Sequence, residues 1–100
     1  MNIAGQHRYR IKLSNRYKKD FQKLVKAHAD VSRLETVIDL LLTGHALPEQ
    51  YQDHELHGKF AGVRECHVAP DWLLMYIKDR EHLVILLLRT GTHRDTLGIE

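Results

Sequence analysis

Imidazole, carboxylate and guanidinium groups gather at three places in the second half of this chain. They are Asp53-His54-Glu55-Leu56-His57-Gly58, His67-Val68-Ala69-Pro70-Asp71-Trp72 and Arg89-Thr90-Gly91-Thr92-His93. Histidine is the one side chain whose unperturbed pKa lies near neutrality, so a set of them is natural equipment for proton transfer. A guanidinium, Arg89 or Arg64, suits phosphoryl oxygens. An aromatic such as Trp72 or Tyr76 suits a splayed nucleobase, a stacking contact worth roughly 1–3 kcal/mol.

The chemistry that fits is transesterification of RNA. A base takes the proton from a ribose 2′-OH, which attacks the adjacent phosphate. An acid protonates the leaving 5′-oxygen, and a cation stabilises the charge that builds between. Each proton-transfer group contributes about 10²–10⁴-fold. Neither a metal nor another cofactor is required. Each residue also has a plainer use. Trp72 fits a core, His67 can bond a backbone carbonyl, and Asp71 after Pro70 is a natural turn residue. Arg64 can pair with Glu65 or Asp71. A zinc site of His54 and His57 with His67 or His93 is disfavoured by a single Cys and an irregular loop. A serine triad is disfavoured because Ser14 and Ser32 fall at helix starts.

The elements that must position these residues follow from periodicity. His7 to Leu13 alternates and reads as a half-buried strand with Tyr9, Ile11 and Leu13 inward. Ser14 or Asn15 caps a helix whose stripe is Tyr17, Phe21, Leu24, Val25 and His28, with lysines opposite. Asp30 or Ser32 starts a second helix; Ser32 and Glu35 have capping-box spacing. Leu34, Val37, Ile38, Leu41 and Leu42 form its stripe, and Gly44 ends it. Gly44 to Gly58 reads as a loop broken by Pro48. Strands are expected at Lys59–Val68, Trp72–Ile77 and Leu83–Arg89, with short antiparallel connections. The segment from Thr90 to Glu100 adds a short strand or a turn. The class is α+β, two helices on one face of a small sheet.

One hundred residues make one domain, residues 1–100, and 43% hydrophobic content supplies one modest core. Cys66 is the lone cysteine, no apolar run approaches bilayer length, and no signal-peptide core opens the chain. A cytoplasmic location without membrane contact is expected. The net charge of +2 is unevenly spread. Residues 1–33 hold nine Lys/Arg against Asp20 and Asp30, a net +7. A basic third on a small domain is a footprint for a polyanion, or a solvated helix face.

Taken in order and at these spacings, the motifs resemble the RelE/ParE superfamily of bacterial toxins, and within it the YafQ-type ribosome-dependent mRNA interferases. The resemblance runs from about Tyr9 to Gly98. Its markers are Tyr17-Lys18-Lys19-Asp20, Asp53-His54-x-Leu56-x-Gly58, Gly62-x-Arg64-Glu65-x-His67-Val68-x-Pro70-Asp71-Trp72 and Arg89-Thr90-Gly91-Thr92-His93. It implies a RelE-like fold, an N-terminal strand and helical hairpin on a small curved antiparallel sheet. It implies cleavage of mRNA in the ribosomal A site, without a cofactor, and inhibition by a cognate antitoxin. The family's catalytic positions fall on His54, His67, Asp71 and His93. Trp72, Arg89 and Arg64 would contact substrate. Members often carry an aromatic near the C-terminus that helps hold mRNA; Leu97 stands there, and leucine cannot stack as phenylalanine does. The superfamily also implies an alternative. ParE-like members bind a topoisomerase and lack the RNase histidines, and an inactive toxin can serve as an antitoxin-holding co-repressor module.

Overall fold

The computed structural model describes residues 7–92. The order is β1 (Arg10–Leu13), α1 (Asn15–Lys26), α2 (Val31–Leu42), β2 (His54–Glu55), β3 (Arg64–Ala69), β4 (Trp72–Asp79) and β5 (Val84–Gly91). Single 3₁₀ turns at Glu49–Tyr51 and Gly58–Phe60 flank β2. The sheet runs β1-β5-β4-β3-β2. It is mixed rather than purely antiparallel, because β1 lies parallel to β5, with Ile11 beside Ile85 and Leu13 beside Leu87. β1 and β5 are joined through the helical hairpin and then β2, β3 and β4, well beyond the dozen or so residues that a parallel connection needs.

The helix boundaries follow local chemistry. Ser14 Oγ accepts the Tyr17 N–H at 2.9 Å and caps α1. Asp30, not Ser32, caps α2: its carboxylate accepts from the Ser32 N–H at 3.2 Å and the Ser32 hydroxyl at 2.5 Å. The capping box expected of Ser32 and Glu35 therefore does not form, since Ser32 already lies inside the helix. Gly44 ends α2 at φ +86°, and a Cβ there would stand 2.8 Å from the Tyr9 ring. Glycine is needed for both reasons.

The sheet's two faces are unequal. On the helix side, Cys66, Val68, Trp72, Leu74, Tyr76, Ile85 and Leu87 meet Tyr17 and Leu24 of α1 and Leu34, Val37, Leu41 and Leu42 of α2. Among the described residues the apolar cluster on the other face is small, Leu73 and Met75 edged by Leu56, Phe60, Val63 and Leu88. The alternation of β4 supplies both sets, as a period of two requires.

Other details also differ from the sequence reading, and the strand expected from Lys59 begins only at Arg64, after the 3₁₀ turn at Gly58–Phe60. The first strand is an exposed edge, with Ile11 and Leu13 about two-fifths exposed and only Tyr9 buried. Asp20, not Val25, joins Tyr17 and Leu24 on the buried face of α1, and Val25 is half exposed. His28 lies beyond α1 with φ 60°. It holds the left-handed position that ends the helix, its N–H donating to Val25 O while that of Ala29 donates to Leu24 O.

Candidate functional site

The exposed-side row of β3 places Glu65 and His67 on one face. They pair with Met75 and Leu73 of β4, and Leu73 in turn pairs with Gly91 of β5. Residues two apart on a strand stand roughly 6.6 Å apart along it. β2 is only two residues long, yet it sets His54 opposite Glu65. The 3₁₀ turn before it ends with Gln52 in the left-handed region, φ 49°, which turns the chain into β2.

His54 is held from both sides. Its Nδ1 lies 2.9 Å from the Gln52 carbonyl oxygen, and its Nε2 lies 3.5 Å from Glu65 Oε1. A carbonyl can only accept, so Nδ1 carries a proton and Nε2 faces the carboxylate. The imidazole is half exposed while Glu65 is fully buried. A buried carboxylate against a solvent-facing imidazole forms a fixed acid–base pair at the protein surface. Glu65 was not singled out as a site residue from the sequence. The signal was there: Glu65 and His67 are two apart in a strand and therefore share a face.

β2 ends before it can cover the outer edge of β3 beyond Glu65. The turn at Gln50, Tyr51 and Gln52 lies over that edge, leaving a cleft of about 300 Å³ whose walls include His67, Arg33 and Pro70. His54 and His67 thus flank the same short segment. Asp71 is exposed in the turn between β3 and β4. His93 and Leu97 lie outside the described residues.

The other nominated residues point elsewhere. Trp72 is buried on the helix side, so it does not present a stacking face; its indole N–H donates to Thr90 Oγ1 at 3.0 Å. Thr90 Oγ1 donates onward to the Leu73 carbonyl at 2.9 Å. Arg89 is engaged by Asp20, with Nε at 2.8 Å from Oδ2 and Nη2 at 3.2 Å from Oδ1. The reason is topological. β1 ends at Leu13, where the Ser14 N–H donates to Leu87 O, so the edge of β5 beyond it lacks a strand partner. Asp20 substitutes, accepting the Thr90 N–H at 3.1 Å.

Arg64 pairs with neither Glu65 nor Asp71. Its Nε and Nη2 donate to Asp53 at 3.2 and 2.9 Å, and the Tyr76 hydroxyl donates to the same carboxylate at 2.5 Å. The hydrogen bond to Asp53 raises the Arg64 pKa further above its already high value. Burial, then the bond to Asp53, pushes the Tyr76 phenol well above its ordinary range. Arg64 and Tyr76 are cross-strand partners, one step along from Glu65 and Met75. They therefore lie on the face opposite the His54–Glu65 pair. Among the described residues no three His, Cys, Asp or Glu side chains gather closely enough to hold a metal ion.

Paired helices on one face of a five-stranded mixed sheet, with histidines on the other, define an α+β domain of the RelE-like toxin class. The chain matches, over residues 9–98, the model for the YafQ bacterial toxin of type II toxin–antitoxin systems. It is 38% identical over 90 residues to the mRNA interferase toxin YafQ of Escherichia coli K12, covering 88% of this chain and 95% of the relative. The crystal structure of YafQ from E. coli BL21(DE3) superposes with a TM-score of 0.81 at 33% identity, over 89% of this chain and 97% of that one. YafQ in the E. coli DinJ–YafQ toxin–antitoxin complex gives 0.79 at 36% identity, over 88% and 96%. The chain belongs to the YafQ toxin family.

Proposed function

We propose that this chain is the mRNA interferase toxin of a type II toxin–antitoxin pair, and that it cleaves mRNA in the ribosomal A site by metal-independent attack of a 2′-OH on the adjacent phosphate. Family membership over nearly the whole chain supports the interferase activity. The His54–Glu65 pair beside the His67 cleft is the observation that carries the chemistry.

In this reading His54 and His67 move protons, with His93 completing the set. Glu65, 3.5 Å from Nε2, and the Gln52 carbonyl, 2.9 Å from Nδ1, hold the His54 ring in place between them. Asp71 orients or exchanges a proton at the turn. Arg64 and Arg89 act through the scaffold, since each is already engaged by a carboxylate. The ribosome supplies substrate positioning, which a shallow cleft cannot. The partner that silences the toxin is a cognate antitoxin, as DinJ is for the E. coli YafQ of the solved complex. An acidic segment that folds on binding fits the basic first third.

Primer extension on a defined mRNA in programmed ribosomes tests the reading. A new cut within the A-site codon, lost with His54→Ala, is expected. Growth arrest by a folded protein without any cut would instead favour a non-nucleolytic toxin.

A further inference from the structure

A second polar cavity, about 390 Å³, opens on the helix side of the sheet, at the end of β4 away from Trp72. Arg8, Arg64, Lys78 and Arg80 line it, and Asp53 is the one carboxylate among its described lining residues. Asp53 is committed to Arg64 and Tyr76. No ion pair engages Arg8, Lys78 or Arg80 among the described residues. The cavity therefore carries a surplus of about three positive charges.

Lys78 is built in rather than waving in solvent. Its ammonium donates to the Gly44 carbonyl at 2.9 Å and sits 5.3 Å from the centre of the Tyr9 ring. Gly44 has no Cβ, which lets the Tyr9 ring stand this close. Burial, and then Arg80, Arg64 and Arg8, lower the Lys78 pKa, so the cation is held at a cost that an incoming anion would relieve. Arg8 and Arg80 are exposed at the rim and free to close on a ligand.

We infer that this cavity is an oxyanion site that takes a single phosphate group, with Lys78 as its fixed cation and Arg8 and Arg80 as its closing pair. Guanidinium and ammonium groups converging on a polar recess match phosphate oxygens in charge and donor count. A docked peptide is disfavoured: among the described residues the large exposed apolar side chains, Ile11, Leu13 and Val25, lie outside the lining, so a peptide would lack an anchor. The phosphate comes either from an RNA backbone or from a small free anion. The site lies across the sheet from His54 and His67, and the inference does not depend on the cleavage reading.

The test is an amide chemical-shift titration of the full chain with inorganic phosphate, followed by a short RNA strand. Saturable shifts at Tyr9, Gly44 and Lys78 are expected, weakened at least tenfold in Lys78→Gln. The double variant Arg8→Ala/Arg80→Ala changes only exposed side chains, and it should weaken binding even if Lys78→Gln fails to fold. RNA that produces the same shifts and displaces phosphate identifies a backbone phosphate as the ligand. Phosphate binding that RNA does not disturb identifies a free anion. Shifts spread over the α1 lysines, or unchanged in the double variant, overturn the site. So does a response to an acidic peptide but not to phosphate. None of these readouts uses ribosomes, so loss of A-site cleavage would bear on the enzyme and not on this cavity.

Discussion

The two faces of the sheet use the same alternating strands for different ends. On the helix side, buried side-chain oxygens and nitrogens among the described residues meet partners: Asp20 with Arg89 and the Thr90 N–H, Trp72 with Thr90, Tyr76 with Asp53. On the other side Leu73 and Met75 are the buried apolar residues of the described sheet, Glu65 is buried beside the half-exposed His54, and His67 lines a cleft at the sheet's edge that also takes in Arg33 of α2. One face spends its residues on packing and on satisfying buried groups. The other leaves titratable groups where a substrate can reach them. The division means that stability and chemistry should respond to different substitutions only one residue apart in sequence.

The largest separation is expected at the histidines. His54→Ala and His67→Ala should each lower ribosome-dependent cleavage by about 10²–10⁴-fold. Both side chains are on the open face, so the urea midpoint should hardly move. Cleavage within a few-fold of the unaltered chain in both variants would break the division by removing chemistry from that face. Leu74→Ala and Leu73→Ala compare the two faces directly. Leu74 is fully buried against both helices, so the loss should be about 2–5 kcal/mol in a urea titration. Leu73 borders partly buried neighbours that can close on the gap, so its loss should be smaller. Equal losses would mean that the open face also anchors the fold.

Trp72 sharpens the same boundary without a mutation. It is the only tryptophan, and it is 6% exposed with its N–H bonded. Its emission should be blue-shifted, shielded from acrylamide and unchanged by a bound RNA strand. Strong quenching by RNA would return the ring to the substrate side.

Much of this arrangement was legible in the sequence, and the failures have physical causes. The two helices, the three long strands and the α+β class follow from apolar periodicity and from capping residues at Ser14, Asp30 and Gly44. Strand ends moved by a few residues because pairing, not composition, stops a strand: β4 runs on to Asp79 as long as β5 lies beside it. β2 was missed because two residues have no period. The parallel seating of β1 was missed because an edge strand buries little and leaves no strong pattern. The motifs named the right neighbourhoods, but they could not say which partner each charge takes. Asp53 and Asp20 lie far in sequence from Tyr76 and Arg89, and only the fold brings them within 3 Å. Glu65 was visible by alternation with His67, yet it was hidden by its adjacency to Arg64, which points to the other face.

The smallest effect lies at Cys66, next to Glu65 in sequence and on the opposite face. Its side chain is fully buried among helix-side residues, and burial, reinforced by Asp53 and Glu65, pushes the thiol pKa from 9.0 up to about 12. A thiol raised in the fold binds its proton more tightly there than in the unfolded chain. Its contribution to stability is therefore complete below about pH 9 and declines as the pH rises from 9 toward 12. Tyr17, raised from 10.0 to about 12 by burial and then by Asp20 and Glu35, adds a loss of the same sign. The urea midpoint should hold to about pH 9 and then fall, and Cys66→Ala should soften the first part of that fall although it lowers the midpoint everywhere. At pH 8 a maleimide should label Cys66 only at the rate of unfolding. Rapid labelling of the folded chain would show that the helix-side face opens, and the contrast between a sealed face and a reactive one would fail at its centre.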